Sequence, residues 1–264
     1  MILDPTVVGL TLASGAVVGL LLAVFGGGGS VLAAPLLIYL VGIQDPHVAI
    51  GTSAFAVAVN AIASLIGQAR AHRVKWPCAS VFAAMGIAGS LAGAALARLV
   101  DGQQLLAFFA LAMAAIALSM LRTPKSDGDP DVTLTWPMMA RLAPVGAVTG
   151  LAAGFFGIGG GFLVVPGLML ATGMTLAHAA GSSLVSVSVF GLSTGLSYAS
   201  AGMVEWRLAG LLIAGGFAGG LAGLQVSRFL AGRAALARRA FAMFILLAAA
   251  YVGWRATSAL GVWA

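Results

Sequence analysis

Four consecutive glycines, Gly26 to Gly29, interrupt an apolar stretch near the start of the chain, and the interruption recurs in its second half. The first copy reads Phe25-Gly-Gly-Gly-Gly-Ser30-Val-Leu-Ala-Ala-Pro35 and the second Phe156-Gly-Ile-Gly-Gly-Gly161-Phe-Leu-Val-Val-Pro166. Phe, three of the four glycines and Pro repeat at a spacing of 131 residues. A glycine run ends or bends a helix, and irregular backbone at membrane depth is tolerated only where protein or a polar cavity encloses it. Two such breaks in a duplicated apolar chain are the sequence pattern of a carrier whose site lies between two structural repeats.

The membrane assignment follows from surface chemistry. Of 264 residues 61% are hydrophobic and 8% charged, with a mean hydropathy of +1.09. A soluble domain carries about 25% charged residues, so this chain cannot cover itself with polar surface in water. Apolar runs at 6–43, 48–69, 77–99 and 104–121 form a first half, and runs at 142–174, 179–198, 206–229 and 239–254 a second. Most reach the ~20 residues that span a bilayer. The Pro-, Gly-, Ser- and Asp-rich stretch beginning at Arg122 marks a solvent-exposed linker, 122–141. The start, Met1-Ile-Leu-Asp4-Pro5, lacks the basic region of a secretory signal, so the first apolar run is expected to be retained. The single cysteine, Cys78, excludes a disulfide within one chain.

The duplication extends past the glycines. Ala49-Ile-Gly-Thr-Ser53 matches Ala179-Ala-Gly-Ser-Ser183, Trp76 matches Trp206, and Gly86, Gly89 and Gly93 match Gly216, Gly219 and Gly223, all at a spacing of 130. Equivalent loops carry opposite charge. Loop 70–75 holds Arg70, His72, Arg73 and Lys75, whereas 199–205 holds Glu205 and no Lys or Arg; 228–239 holds four arginines, whereas 100–103 holds Asp101. The basic loops and the linker are therefore predicted to be cytoplasmic, with both termini outside. This bias favours an inverted repeat, with each glycine segment entering and returning on one side. Four parallel spans per half, each glycine segment crossing once as a bent helix, is the competing arrangement. The expected fold is thus an all-α polytopic membrane protein of two homologous halves, 1–121 and 142–264, each with a glycine-broken helix or hairpin plus three transmembrane helices.

A helix restarting after Gly29 or Gly161 presents unpaired N–H groups and partial positive charge, which suits an anion. Gly28, Gly29 and Ser30, with Gly159, Gly160 and Gly161, are the candidates for that contact; the alternative is that these glycines only let helices bend or touch. Thr52 and Ser53, and Ser182 and Ser183, open the following spans and could donate to an oxyanion, or bond back to their own helices. Asn60 either lines the same path or joins helices. Gly86, Gly89, Ser90 and Gly93, and their counterparts, have the spacing of packing faces. His47 and His178 precede the second span of each half and are proton-coupling candidates, or simply polar boundary residues. No Asp or Glu lies deep in a span, which disfavours a cationic substrate. There is no P-loop, no dinucleotide fingerprint and no nucleophile–base pattern, so no catalytic site, cofactor or metal is expected. The net charge of +6 lies in loops and implies no nucleic-acid partner.

Gly-Gly-Gly-Gly-Ser-x-x-x-x-Pro35, its echo Gly-Ile-Gly-Gly-Gly-x-x-x-x-Pro166 and the Ala-x-Gly-Thr/Ser-Ser motifs resemble the sulfite exporter TauE/SafE family over nearly the whole chain. The resemblance implies a multi-pass permease of the bacterial inner membrane for small sulfur-containing or organic anions such as sulfite or sulfoacetate. The residues by themselves support only an anion. Its partners would be that anion, the lipid bilayer and, in a homo-oligomer, further copies of the chain. An anion channel and a non-transporting membrane scaffold or assembly factor are the alternatives.

Overall fold

The computed structural model describes residues 4–121, 128–157, 161–230 and 234–259, and these are helical with no strand among them. Seven helical stretches are long and apolar enough to cross a membrane. Their outward faces carry residues such as Leu170, Leu111 and Leu221, each at least 69% exposed, as lipid contact requires. Trp76, Trp136 and Trp206 stand exposed at the first residues of their helices, where amphipathic rings anchor a span at the membrane surface.

Helix α1 (Pro5–Phe25) starts on the cap of Asp4, whose carboxylate accepts Thr6 N–H at 3.0 Å and Thr6 Oγ1 at 2.8 Å. It stops at Gly26, whose φ of +63° is a left-handed conformation that glycine alone adopts without strain. The chain continues as a tight 3-10 turn over Gly26–Leu32, a short α2 (Ala33–Leu36) and a widened turn over Leu37–Val41. This segment folds back on α1. Gly29 lies against the backbone of Leu21 and Leu22, and Ala33 packs in one cluster with Val18 and Leu22. Helix α3 (Pro46–Arg70) then runs in the same direction as α1, because Gln68 near its end donates to the Ala23 carbonyl near the end of α1, at 2.9 Å. With α1 and α3 parallel, the glycine segment between them must return to the side it came from. The single bent crossing is not what forms here.

The second half repeats the pattern. Helix α6 (Trp136–Phe156) ends at Gly157, φ +64°, and α7 (Gly161–Thr172) ends at Gly173, φ +71°. Helix α6 begins within the stretch 122–141 that the polar composition assigns to the linker, with Pro137 in its first turn and Arg141 exposed on its surface. Helices α4 (Trp76–Ala97), α5 (Gly102–Leu121), α8 (Leu176–Ser200), α9 (Trp206–Leu230) and α10 (Ala234–Ala259) complete the bundle.

Packing between halves uses bare backbone. Helices α1 and α9 run parallel in close contact, Gly215 on Leu12, Gly219 on Ala16 and Gly223 on Leu20. Helices α4 and α6 do the same, with Gly146 on Phe82, Gly150 on Gly86 and Gly154 on Ser90. Small residues let helix backbones approach where lipid offers no hydrophobic gain from association. The glycine spacings expected to pack therefore do so. Helices α3 and α8 lie antiparallel at the centre: Gly51 meets Tyr198 and Met203, Gly195 meets Phe55, and Gly191 meets Ala54 and Ala58. Helices α5 and α10 are also antiparallel, Ala110 beside Gly253 and Val252, and Met113 and Ala117 in one cluster with Ile245.

Candidate functional site

The two glycine motifs meet. Gly27 lies backbone to backbone with Gly161, the first residue of α7, and a Cβ on either would collide with the other. The Val187 side chain of α8 closes against Gly27. Gly27 N–H donates to Ser183 Oγ at 2.9 Å, and that hydroxyl donates in turn to the Ala180 carbonyl at 2.7 Å. Ser30 Oγ donates to the Gly27 carbonyl at 2.8 Å. Residues Gly26 to Ala34, Gly28 and Gly29 among them, are all buried. The crossing is therefore a dry junction of main chain and two hydroxyls, built from both halves.

The seating of each motif explains the break. Gly26 packs directly on the backbone of Ala180, and its equivalent Gly157 packs on Ile50, the residue equivalent to Ala180. Each motif therefore turns against the opposite half's central helix, one turn into it. A side chain at Gly26 would meet both strain from its positive φ and the Ala180 main chain.

Of the predicted site residues, Ser30, Gly161 and Ser183 meet Gly27 at this crossing, whereas Gly29 packs on Leu21 and Leu22 of α1 and Gly28 is buried in the same turn. Ser53, the equivalent of Ser183, donates to the Ile50 carbonyl at 3.0 Å and is fully buried. Gly159 and Gly160 lie outside the described residues. Thr52 and Ser182 have another task. Thr52 Oγ1 accepts Glu205 N–H and Ser182 Oγ accepts Lys75 N–H, each at 2.9 Å. Both donors and both acceptors are equivalent at a spacing of 130, so the same clasp fastens the loop after α3 to α8 and the loop after α8 to α3. The two clasps sit at opposite ends of the antiparallel pair.

Asn60 is remote from the crossing. It bridges α3 to α9 by donating from Nδ2 to the Leu212 carbonyl at 3.3 Å, and packs against Gly216. His47 stacks on Tyr198 with ring centres 6.3 Å apart, and its Nδ1 is buried without a partner. His178 holds Thr175 Oγ1 at 2.8 Å through Nδ1. The two histidines stand at opposite ends of the α3/α8 pair, and neither touches the glycine crossing. Among the described residues no three His, Cys, Asp or Glu side chains group as metal ligands.

Sequence reasoning passed over Gly27 and Val187. Gly27 is the one glycine of its run whose counterpart, Ile158, is not a glycine. Val187 carries no polar signal at all.

A family model described as sulfite exporter TauE/SafE matches residues 11–252. A probable membrane transporter protein of Xylella fastidiosa (strain 9a5c) is 45% identical over 256 residues, covering 95% of this chain and 97% of that protein. Its counterpart in strain Temecula1 is 44% identical over 255 residues. The probable membrane transporter protein YunE of Bacillus subtilis is 26% identical over 236 residues, covering 81% of this chain and 86% of that protein. No solved structure matches the chain.

Proposed function

The chain belongs to the sulfite exporter TauE/SafE family and is a multi-pass bacterial membrane protein, and from that premise we propose that it is a secondary transporter of small sulfur-containing or organic anions such as sulfite or sulfoacetate. The observation that carries the site is the contact of Gly27 with Gly161, one glycine from each half, beside Ser183 and Ser30. In this reading the anion is held between the halves by backbone N–H groups of Gly28, Gly29, Ser30 and the Gly159–Gly161 turn, with Ser53 and Ser183 turning their hydroxyls to it. Neutral main-chain donors suit an oxyanion that must also leave, since they bind it without a fixed opposite charge.

The halves are read as an inverted repeat about an axis in the membrane plane. Support comes from α3 against α8 and α5 against α10: each pairs a helix with its own equivalent, antiparallel. An axis along the membrane normal would make such equivalents parallel. Alternating access then consists of one helix bundle rocking against another across the α3/α8 pair, with the Thr52–Glu205 and Ser182–Lys75 clasps opening in turn at opposite faces.

The test is efflux and counterflow of sulfite and short sulfonates in proteoliposomes. Gly27→Leu or Gly161→Leu should abolish transport while protein remains in the membrane. Ser183→Ala, which removes the hydroxyl that accepts Gly27 N–H but adds no bulk at the crossing, should raise KM roughly fivefold, the equivalent of one hydrogen bond at ~1 kcal/mol. Unchanged transport and KM in all three would return the glycines to a packing role. Saturation and counterflow distinguish a carrier from a channel, which would show passive conductance.

A further inference from the structure

The end of the linker is fastened to the bundle beside one of the two clasps. Residues 128–134 cross the turn between α7 and α8 as a strap. Gly128, with a φ of +83°, lies on the backbone of Met174 and Thr175, and Asp129 N–H donates to the Gly173 carbonyl at 2.9 Å. Asp129 Oδ1 accepts Asp131 N–H at 2.8 Å, which closes a turn around Pro130. Val132 follows, 8% exposed, in one cluster with Cys78, Ala171, Met174 and Ala179. Cys78 lies one turn into α4 from Lys75, and Ala179 one turn before Ser182 on α8. Val132 is thus wedged beside the Ser182–Lys75 clasp. Around the equivalent clasp, Thr52–Glu205, Ala49 clusters with Leu37, Ala56 and Leu212, all from the membrane segments themselves. Closing a clasp therefore does not demand a strap.

The strap also brings a carboxylate to a cationic corner. Arg73 and Lys75 lie across α8 at Gly181 and Ser182. His178 is one turn before Ser182, and the charges of Arg73, Lys75 and Asp131 all act on its ring. Arg73, Lys75 and His178 are half-buried, whereas Asp131 is exposed. Their equivalents at the other clasp are Met203, Glu205 and Val48, so the repeat does not require the three cations. Cytoplasmic loops gather Lys and Arg in any case, but that rule does not tie a carboxylate down among them.

We infer that Arg73, Lys75 and His178 form an entry site for a small oxyanion on the face of the basic loop, and that residues 128–134 are its lid, with the Asp131 carboxylate holding the anion's place while the lid is shut. An arriving anion competes with Asp131 for the same cations. Once Asp131 is displaced the strap lifts, Val132 leaves its seat, and the Ser182–Lys75 clasp is free to open. That the anion then crosses the membrane rests on the transport reading. The seating of the strap and its displacement by an anion do not.

The experiment follows the lid itself, on the purified full chain in detergent. Val132→Cys in a Cys78→Ala background places a thiol that maleimide reaches only when the strap lifts. Thr133→Cys in the same background is exposed with the strap seated and serves as the control for folding and reagent. Sulfoacetate is the probe, with sodium chloride at equal ionic strength as reference, because salt alone screens Asp131 from the cations. Sulfoacetate should speed labelling of Val132→Cys saturably, by about two- to fivefold, the factor one exposed ion pair holds back, and leave Thr133→Cys unchanged. Adding Asp131→Asn should give the faster rate without sulfoacetate, and adding Lys75→Gln with Arg73→Gln should remove the response to it. A rate indifferent to sulfoacetate would overturn the entry site. Val132→Cys labelled as fast as Thr133→Cys in chloride, or a rate unmoved by Asp131→Asn, would overturn the lid. Absence of transport in proteoliposomes with the sulfoacetate response intact would instead count against the transport reading alone.

Discussion

At the residue scale, neighbouring glycines of α9 have opposite requirements. A Cβ at Gly219 runs into the Ala16 carbonyl, carbon and Cα of α1, none of which can move without shifting a helix. Gly219→Ala is expected to cost about 1–3 kcal/mol by overpacking. Gly220→Ala meets nothing closer than 3.8 Å and gains helix propensity, so it should be neutral or stabilising by up to ~1 kcal/mol. Unfolding of the two variants side by side checks this, and equal destabilisation would contradict the geometry. The same contrast shows the limit of reading a spacing. Gly216, Gly219, Gly220 and Gly223 look alike in the sequence, and only the facing helix separates a glycine pressed on backbone from one with room for a methyl group.

At the element scale, the direction of α3 against α8 places equivalent loops on opposite faces. Ala71 and Ala201, both exposed, are equivalent positions just after these helices. The basic loop 70–75 should be cytoplasmic and the loop at 199–205 outside. Cys78 cannot report this, because it is 1% exposed and closed to reagents from either face. Ala71→Cys and Ala201→Cys, each in a Cys78→Ala background, are the suitable reporters. An impermeant maleimide on intact cells should label only Ala201→Cys. Labelling of both from one side would defeat the antiparallel arrangement, and labelling of Ala71→Cys alone would reverse its orientation. The glycine breaks themselves were legible, since the glycine runs beginning at Gly26 and Gly157 interrupt apolar stretches and are strong local stops. Their return path was favoured by the loop charges but not by the local sequence, because a bent crossing and a hairpin share it. The contacts of Gly29 with Leu21 and of Gln68 with Ala23 decide between them.

At the scale of the whole molecule, each half supplies what the other lacks. Helix α1 packs on α9 and α4 on α6, so neither half has a closed core of its own. The pairing of α5 with α10 extends this to the flank of the bundle. The Cβ of Ala110 lies 3.4 Å from the position a Cβ would take on Gly253, close to the ~3.5–4.5 Å spacing of bridged cysteines. Ala110→Cys with Gly253→Cys, in the Cys78→Ala background, should form a disulfide on mild oxidation and join fragments cleaved in the linker 122–141. Failure to cross-link, with both thiols intact, would refute the pairing. In the transport assay the cross-link should preserve function if rocking occurs across α3/α8, since α5 and α10 then move as one body.

What the sequence determined by itself was set by short-range physics. Apolar length required a membrane, loop charge set an expected side for each loop, and the repeat period tied each position to an equivalent. Glycine fixed where helices had to stop. What only the tertiary structure decided depends on groups more than a hundred residues apart. Ser183 was legible as a hydroxyl near a break, but not as the acceptor for Gly27. Thr52 and Ser182 carried the same signal and instead fasten loops of the opposite half. Asn60 read as a path residue or, more readily, as a link between helices, and its bond to Leu212 joins α3 to α9. A side chain's donors and acceptors are written in its chemistry, but its partner is chosen by how two helices from different halves cross.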